Sequence, residues 1–253
     1  MRVHLVQYDI AWEDPAANRA KVAALVERAA PAAGDMIVLP ETAFTGFSLD
    51  PSRTLPDAPE AEAFLGELAR RWSATVVGGL VACDARGRPS NQSLAFSPAG
   101  DLLARYVKIK PFTLGGERKV HAPGERTVRF DWQGLSVAPL VCYDLRFPEL
   151  FREATRAGAE MFVVIASWPA RRYHHWLTLL EARAIENLAF VVGVNRCGTD
   201  PGFSYVGRSV VVSPHGHVVA DAGERERVVT AAIDAEEIRG WRREFPALLD
   251  MGP

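Results

Sequence analysis

The sequence contains little cysteine: only Cys83, Cys142 and Cys197 among 253 residues. No Cys-x-x-Cys or His-x-x-x-His spacing accompanies them, so no zinc site is indicated. The odd number disfavours a disulfide framework, and we expect three free thiols in a reducing compartment. Each cysteine is then either an inert side chain or a nucleophile.

Long apolar runs and an excess of one charge are also missing. No run approaches the roughly 18 apolar residues of a membrane-spanning helix. The 29 basic and 31 acidic residues are scattered and give a net charge of −2, which indicates neither a nucleic-acid surface nor a polybasic membrane patch. The first eight residues enter a strand-like run without the pattern of a secretory signal. We therefore expect a cytoplasmic protein whose partner is a small molecule, not a nucleic acid or a membrane.

Apolar strand-like runs alternate with helical patterns along the chain. We predict strands at residues 3–8, 36–39, 74–82, 135–141, 161–166 and 190–194, and helices at 18–30, 60–72, 147–158 and 175–188. No Gly/Ser/Pro-rich linker divides the chain. The pattern predicts one layered α/β domain over residues 1–253.

Two segments have the same pattern, NQSLAFSPAGDLLA at 91–104 and GRSVVVSPHGHVVA at 207–220. In each, a β-rich run meets Ser-Pro-x-Gly and a second β-rich run follows, which predicts a hairpin. A twofold internal repeat and convergence on a common turn explain this likeness equally well.

Cys142 is the best candidate for a nucleophile. It follows the predicted strand at 135–141, and a predicted helix begins within a few residues, so helix N-terminal N–H groups are expected to favour its thiolate. The alternative is a small buried apolar side chain. The charged flank Tyr-Asp-Leu-Arg favours the nucleophile, whereas Cys83 and Cys197 lack such a setting.

Glu41 is the best candidate for the base that a thiol nucleophile needs. It follows an apolar strand and precedes two phenylalanines that could exclude water, although an ordinary solvated glutamate would fit the same pattern. None of the six histidines stands in a local signature; they are His4, His121, His174, His175, His215 and His217.

Lys108 is a candidate for stabilising an oxyanion. Period-2 alternation places it on the same strand face as Tyr106 and Lys110, and a solvated face is the alternative. Glu117 follows Gly115-Gly116 and provides a second carboxylate, which could equally be exposed.

Several short blocks occur in an order that resembles the nitrilase superfamily of carbon–nitrogen hydrolases. They are LPETAFTGF (39–47), YVKIK (106–110), GE (116–117), PG (123–124), VCYDLRFPE (141–149), SWP (167–169), ARAIEN (182–187) and NR (195–196). The resemblance covers nearly the whole chain. The later blocks, with Trp168-Pro and His175-Trp, resemble the omega-amidase branch, which deaminates 2-oxo acid amides.

The resemblance implies a fold and four catalytic roles. The fold is a four-layer α-β-β-α sandwich of two pseudo-symmetric halves that forms a homodimer. Cys142 would be the nucleophile, Glu41 the general base, Lys108 the oxyanion stabiliser and Glu117 a supporting group. One departure is Lys110, where the family often has histidine.

The implied reaction is hydrolysis of a small carboxamide to carboxylate and ammonia through a thioester. The Tyr143 backbone N–H would assist Lys108 at the oxyanion, and no metal or organic cofactor is required. Trp168 could form a pocket wall, and Arg172 and His175 could bind a distal carboxylate; a basic loop at a helix start is an equal alternative. Rival functions are hydrolysis of a nitrile, carbamoyl group or aliphatic amide, or a non-catalytic interaction protein on the same scaffold.

Overall fold

Two six-stranded β-sheets pack face to face between outer helices in the computed structural model, which describes residues 1–252. The strands are β1 (Arg2–Gln7), β2 (Met36–Val38), β3 (Thr75–Cys83), β4 (Pro89–Phe96), β5 (Leu102–Val107), β6 (Phe130–Trp132), β7 (Leu135–Val141), β8 (Met161–Ala166), β9 (Phe190–Asn195), β10 (Cys197–Thr199), β11 (Ser204–Val206), β12 (Val210–Val212), β13 (Val218–Asp221) and β14 (Arg227–Ala232). The helices are α1 (Pro15–Ala29), α2 (Pro51–Thr54), α3 (Ala58–Trp72), α4 (Pro148–Arg156), α5 (Tyr173–Asn187) and α6 (Ala235–Glu244). All the strands and helices predicted from the sequence are present, most with ends shifted by one to three residues.

The two sheets have the same topology. The first has the order β14-β1-β2-β3-β4-β5 and the second, read in the matching direction, β6-β7-β8-β9-β12-β13. In each, three parallel strands are flanked by one antiparallel strand on one side and an antiparallel pair on the other. These matched orders favour the internal repeat over convergence of two turns.

The two Ser-Pro-x-Gly segments form equivalent hairpins, as predicted. In the first, the Gly100 N–H donates to Ser97 O at 2.8 Å; in the second, the Gly216 N–H donates to Ser213 O at 2.9 Å. Both glycines have positive φ, 83° and 85°, a conformation that glycine adopts without a Cβ clash. The turn chemistry therefore sets the same register in both halves.

Burial of alternate strand positions creates the four layers. On β1, the side chains of Val3 and Leu5 belong to the core between the sheets, and Val6 packs with α1 and α3 on the outer face. Helices α4 and α5 cover the second sheet through apolar side chains that include Phe151 and Trp176. The predicted α-β-β-α sandwich is confirmed.

Two element boundaries affect the site. Residues Cys142–Arg146 form a 3₁₀ turn, and helix α4 begins at Pro148, one residue after its predicted start. Strand β5 ends at Val107, so the alternation of faces does not extend to Lys110. Among residues 1–252, no helix has the length and apolar character needed to cross a membrane.

Candidate active site

Strand ends from both sheets meet at one place between the two halves. Glu41 follows β2, Lys108 follows β5 and Cys142 follows β7. Cys142 has a φ of 46°, a left-handed conformation that is uncommon for a side-chain-bearing residue. This sharp turn lets the chain leave the buried strand with the thiol at its tip.

Lys108 joins two carboxylates in a buried cluster. Its Nζ lies 2.8 Å from Glu41 Oε1, 2.8 Å from Glu117 Oε2 and 3.1 Å from Glu117 Oε1. The lysine side chain is 1% exposed and both glutamates are fully buried. Glu41, Lys108 and Glu117, selected separately from the sequence, therefore form one ion-pair network.

Glu41 is held at both carboxylate oxygens and through its backbone. Asn91 Nδ2 donates to Oε1 at 2.7 Å, and the Ser167 backbone N–H donates to Oε2 at 2.7 Å. Gly79 of β3 passes directly beneath, and a Cβ there would lie 2.7 Å from Glu41 Cα. The close approach of two backbones requires glycine at this position.

Glu117 is buried, so the exposed alternative is wrong. It follows Gly116, whose φ is 85°, and its Oε2 accepts the Phe112 backbone N–H at 2.6 Å. Burial alone would raise its pKa, but Lys108, His121 and the Phe112 N–H outweigh burial and hold the pKa well below its usual range. Glu117 is thus ionised at neutral pH.

The ammonium group of Lys108 remains protonated in this setting. Burial disfavours its charge, but the carboxylates of Glu117 and Glu41 outweigh burial and raise its pKa. The site therefore contains a fixed cation beside Cys142.

Burial raises the pKa of the Cys142 thiol, and the neighbouring Glu41 carboxylate raises it further, while Lys108 opposes them. The expectation of a thiolate favoured by a helix N-terminus is wrong. A 3₁₀ turn separates the cysteine from α4, and a carboxylate stands beside the sulfur. The resting thiol holds its proton next to an acceptor.

Asp144 ties the cysteine turn to the lysine strand. Its Oδ2 accepts from Tyr106 Oη at 2.8 Å and from the Val141 N–H at 3.0 Å, and its Oδ1 accepts from the Lys110 N–H at 2.9 Å. Burial raises its pKa to about 7, against the opposing effects of the neighbouring ammonium and these hydrogen bonds. Asp144 thereby fixes Cys142 relative to β5.

A cleft that is partly open to solvent leads to the thiol. Its described lining residues include no aspartate or glutamate; they are Phe47, Lys108, Phe112, Cys142, Tyr143, Arg146, Ser167, Trp168, Pro169, Arg172, Phe203 and Tyr205. An apolar cleft with a few convergent polar groups is the usual form of a small-molecule site.

Three of the four predicted substrate-binding residues line this cleft. Tyr143 packs against Phe112 with ring centroids 5.1 Å apart, and Trp168 and Arg172 form part of its wall. His175 does not reach the cleft: it is exposed on the first turn of α5 and its Nδ1 lies 3.1 Å from an Arg146 guanidinium nitrogen. The proposed contact of His175 with substrate is therefore not supported.

Arg146 is the charged cleft residue that sequence reasoning missed. Its guanidinium carbon lies 4.8 Å above the Trp168 ring, and that of Arg172 lies 5.4 Å above the Phe112 ring. Within residues 1–252, neither arginine forms an ion pair with a carboxylate. Arg146 belongs to the Cys-Tyr-Asp-Leu-Arg block, and its position four residues after the candidate nucleophile Cys142 was the sequence feature that could have identified it.

The other lysine of the Lys108 block points elsewhere. Lys110 Nζ lies 3.2 Å from Glu149 Oε1 and 4.7 Å from the Phe147 ring centroid, with its side chain 33% exposed. The prediction that Lys108 and Lys110 share a face is wrong, because the strand ends before both. Cys83 is exposed at the end of β3 and Cys197 is buried on β10, and neither lines the cleft.

Two further residues contact the carboxylates without having been predicted. Asn91 Nδ2 donates to both Glu41 and Glu117, and the His121 ring Nδ1 lies 3.6 Å from Glu117 Oε1 in a buried position. Only the tertiary structure brings Asn91 to the site, whereas His121 lies four residues after Glu117 in sequence. The described part of the chain contains no group of three His, Cys, Asp or Glu side chains arranged to hold a metal ion.

The carbon-nitrogen hydrolase family model matches residues 2–243. The chain belongs to the carbon-nitrogen hydrolase family. This hydrolase is 33% identical over 251 residues to a 2-oxoglutaramate amidase of Bacillus subtilis (strain 168), covering 98% of this chain and 96% of that protein. It is 35% identical over 255 residues to the omega-amidase YafV of Yersinia enterocolitica, covering 99% and 96%.

A solved structure shows the same fold. The hydrolase superposes on XC1258 from Xanthomonas campestris, a CN-hydrolase superfamily protein with an arsenic adduct in its active site, with a TM-score of 0.93 and 36% identity. The match covers 100% of this chain and 97% of that one. The predicted nitrilase-superfamily resemblance is confirmed.

Proposed function

We propose that this hydrolase is an omega-amidase, which converts the terminal carboxamide of a small 2-oxo acid, such as 2-oxoglutaramate or 2-oxosuccinamate, to a carboxylate and ammonia. One observation carries the proposal: a single cleft joins the Cys142 thiol to the guanidinium groups of Arg146 and Arg172, neither of which is paired with a carboxylate within residues 1–252. A substrate with an amide at one end and a carboxylate at the other matches this arrangement.

The first half of the reaction forms a thioester. Glu41 takes the thiol proton as Cys142 Sγ attacks the amide carbonyl. The negative oxygen that develops is stabilised by Lys108 and the Tyr143 backbone N–H. Glu41 then donates its proton to the leaving nitrogen, the C–N bond breaks and ammonia departs.

The second half releases the acid. Glu41, again a carboxylate, accepts a proton from a water molecule that attacks the thioester carbonyl. The C–S bond breaks, the proton returns to sulfur and the carboxylate product leaves. Glu117 keeps Lys108 protonated and oriented throughout, since it lies 2.8 Å from the ammonium nitrogen.

The two arginines provide the selectivity in this proposal. A guanidinium group binds a carboxylate through two parallel hydrogen bonds, and both groups stand on aromatic rings that limit their movement. Binding energy at the distant carboxylate then orients the amide at the thiol. The names of the amidase relatives from Bacillus and Yersinia support the same substrate class.

Ammonia release over a substrate panel tests the proposal. We expect 2-oxoglutaramate or 2-oxosuccinamate to be hydrolysed far faster than acetamide, a simple nitrile or a carbamoyl compound. Arg172→Leu should lower kcat/KM for the 2-oxo acid amides while leaving the low rate on acetamide within about threefold. Equal wild-type rates on acetamide would contradict the omega-amidase assignment, and no turnover of any C–N substrate would favour the non-catalytic interaction protein.

We further propose that the hydrolase forms a homodimer and acts in the cytoplasm. A contiguous, partly exposed surface supports the dimer: Ile185 packs on Gly216, the His215 ring contacts Trp241 at a tilt, and Trp241 stacks on Phe245. The free thiols support a reducing compartment. Light scattering should give twice the 27.7 kDa chain mass, and a monomer at micromolar concentration would refute the dimer.

A further inference from the structure

Asn91 of β4 bridges the two carboxylates of the catalytic cluster. Its side chain is buried, and Nδ2 donates to Glu41 Oε1 at 2.7 Å and to Glu117 Oε1 at 2.8 Å. Lys108 Nζ contacts the same two oxygens at 2.8 and 3.1 Å. Two nitrogen donors, one charged and one neutral, thus hold the same pair of oxygens.

The orientation of the Asn91 amide is fixed by its neighbours. A primary amide has two N–H donors, and here each meets a carboxylate; the reversed orientation would place Oδ1 against two negative oxygens. Within residues 1–252, Oδ1 has no hydrogen-bond partner. The backbone carbonyl of Asn91 accepts the Lys108 N–H at 2.9 Å, so this one residue aligns Glu41, Lys108 and Glu117.

The two carboxylate oxygens of Glu41 accept different numbers of hydrogen bonds. Oε1 accepts two hydrogen bonds, from Asn91 and Lys108, which occupy both in-plane lone pairs. Oε2 accepts one, from the Ser167 N–H at 2.7 Å, and Ser167 and Cys142 line the same cleft. Oε2 is therefore the oxygen that has a free lone pair and is bound by a residue of the cleft that contains the thiol.

We propose that Asn91 is a positioning residue that, together with Lys108, saturates Oε1 of Glu41 and so directs the proton of Cys142 to Oε2. The inference rests on the proposed function, in which Glu41 exchanges protons with the thiol, the leaving nitrogen and water. Without the amide, Oε1 could take the proton on the side of Glu117, away from the substrate.

A second effect of Asn91 is electrostatic. In a variant without the Asn91 amide, Glu41 and Glu117 would each lose a hydrogen-bond donor that favours the charged carboxylate. The acidic limb of the activity profile should therefore move to higher pH. The titratable or charged groups that face the two carboxylates are Lys108, His121, Cys142, Tyr205 and, beyond Lys108, Asp144.

Asn91→Leu tests the inference because leucine keeps the approximate volume and removes both donors. We expect kcat to fall about 10- to 100-fold, KM to stay within about threefold, and the acidic limb to rise by about one pH unit. The pH dependence of Cys142 alkylation by iodoacetamide should shift in the same direction. This second readout requires no substrate.

Gln92→Leu is the matched control from the same strand. Gln92 is equally buried, but its amide serves the opposite face, where Nε2 donates to Ala82 O, Cys83 O and Ser90 Oγ. Its loss should lower the melting temperature and leave both pH profiles as in the wild type. Asn91→Asp is a second variant that keeps the side-chain size; its added carboxylate should lower activity at neutral pH, with partial recovery on acidification.

The two readouts separate failure of this inference from failure of the proposed function. If Asn91→Leu and Gln92→Leu both show the wild-type alkylation profile, Asn91 has only a structural role and the inference is overturned. If the wild type hydrolyses none of the panel, the proposed function fails; a shifted alkylation profile for Asn91→Leu would still support its control over the Glu41–Cys142 pair.

Discussion

Lys108→Met removes the one cation between two buried carboxylates, and its effects can be estimated from the geometry. The ammonium makes contacts of 2.8 Å to both Glu41 and Glu117, and the three side chains are almost completely shielded from water. Removing one partner of such a pair typically costs about 3–5 kcal/mol. For a chain of this length, that loss corresponds to a fall in Tm of roughly 6–20 °C.

The stability loss should depend on pH in a definite direction. The pKa of Glu117 is lowered in the folded wild type, so the stabilisation by its ionised form is present above its unfolded pKa of about 4.3. That stabilisation disappears as pH falls through the lowered folded pKa. In Lys108→Met, the buried carboxylates lack their cation and take up protons on acidification, so the difference in Tm should be largest near pH 7 and shrink progressively as the pH falls.

Activity should fall more than stability alone explains. Loss of a preorganised oxyanion donor typically lowers kcat about 10²- to 10³-fold, and ammonia release from folded Lys108→Met should fall by at least that much. Lys110→His is the control: Lys110 faces Glu149 at the surface, where an ion pair contributes only about 0–1 kcal/mol, so kcat should stay within about tenfold. Near-normal turnover by Lys108→Met, or a Tm difference that does not change with pH, would refute this reasoning.

Three further substitutions test other parts of the site. Cys142→Ser should abolish ammonia release with an unchanged circular dichroism spectrum, whereas Cys83→Ser should retain full activity; residual turnover by the first variant would remove the thiol from the mechanism. Glu41→Gln should stop turnover, and it should slow alkylation of Cys142 by iodoacetamide at neutral pH because losing the proton acceptor outweighs the lower thiol pKa that follows from removing the carboxylate charge; unchanged or faster alkylation would place the base elsewhere. Gly79→Ala should reduce kcat sharply, since its Cβ would lie 2.7 Å from Glu41 Cα; wild-type kinetics would show that the loop yields without moving the carboxylate.

Local patterns in the sequence were sufficient to predict most of the sandwich. Strands β7 and β8 have the predicted bounds because their apolar runs are buried on both faces, and the two Ser-Pro-x-Gly turns determine their hairpins through local backbone preferences. Glu41 and Cys142 were identifiable because each follows such a run directly. These features depend on residues that are neighbours in sequence.

Features that depend on distant residues were missed or predicted incorrectly. The side chain of Lys110 leaves the strand face because β5 ends at Val107 and the Lys110 N–H instead donates to Asp144, in the 3₁₀ turn of the other half. The thiol pKa rises because burial and Glu41 act on it together. The role of Asn91 depends on the carboxylates of Glu41 and Glu117, which are 50 and 26 positions away in sequence. A hydrophobic period of two to four residues cannot predict contacts at such separations.

Activity in this hydrolase reports on the contact between its two sheets. Glu41, Lys108 and Glu117 belong to the first half and Cys142 to the second, so neither half contains all four residues of the proposed catalytic set. A slight separation of the sheets would move the thiol away from its base while every strand kept its hydrogen bonds. In a denaturant titration, turnover should therefore be lost at a lower denaturant concentration than the circular dichroism signal. An inhibitor that is bound covalently to Cys142 and also contacts the first half should stabilise the contact between the halves and raise the denaturant concentration at which both unfold.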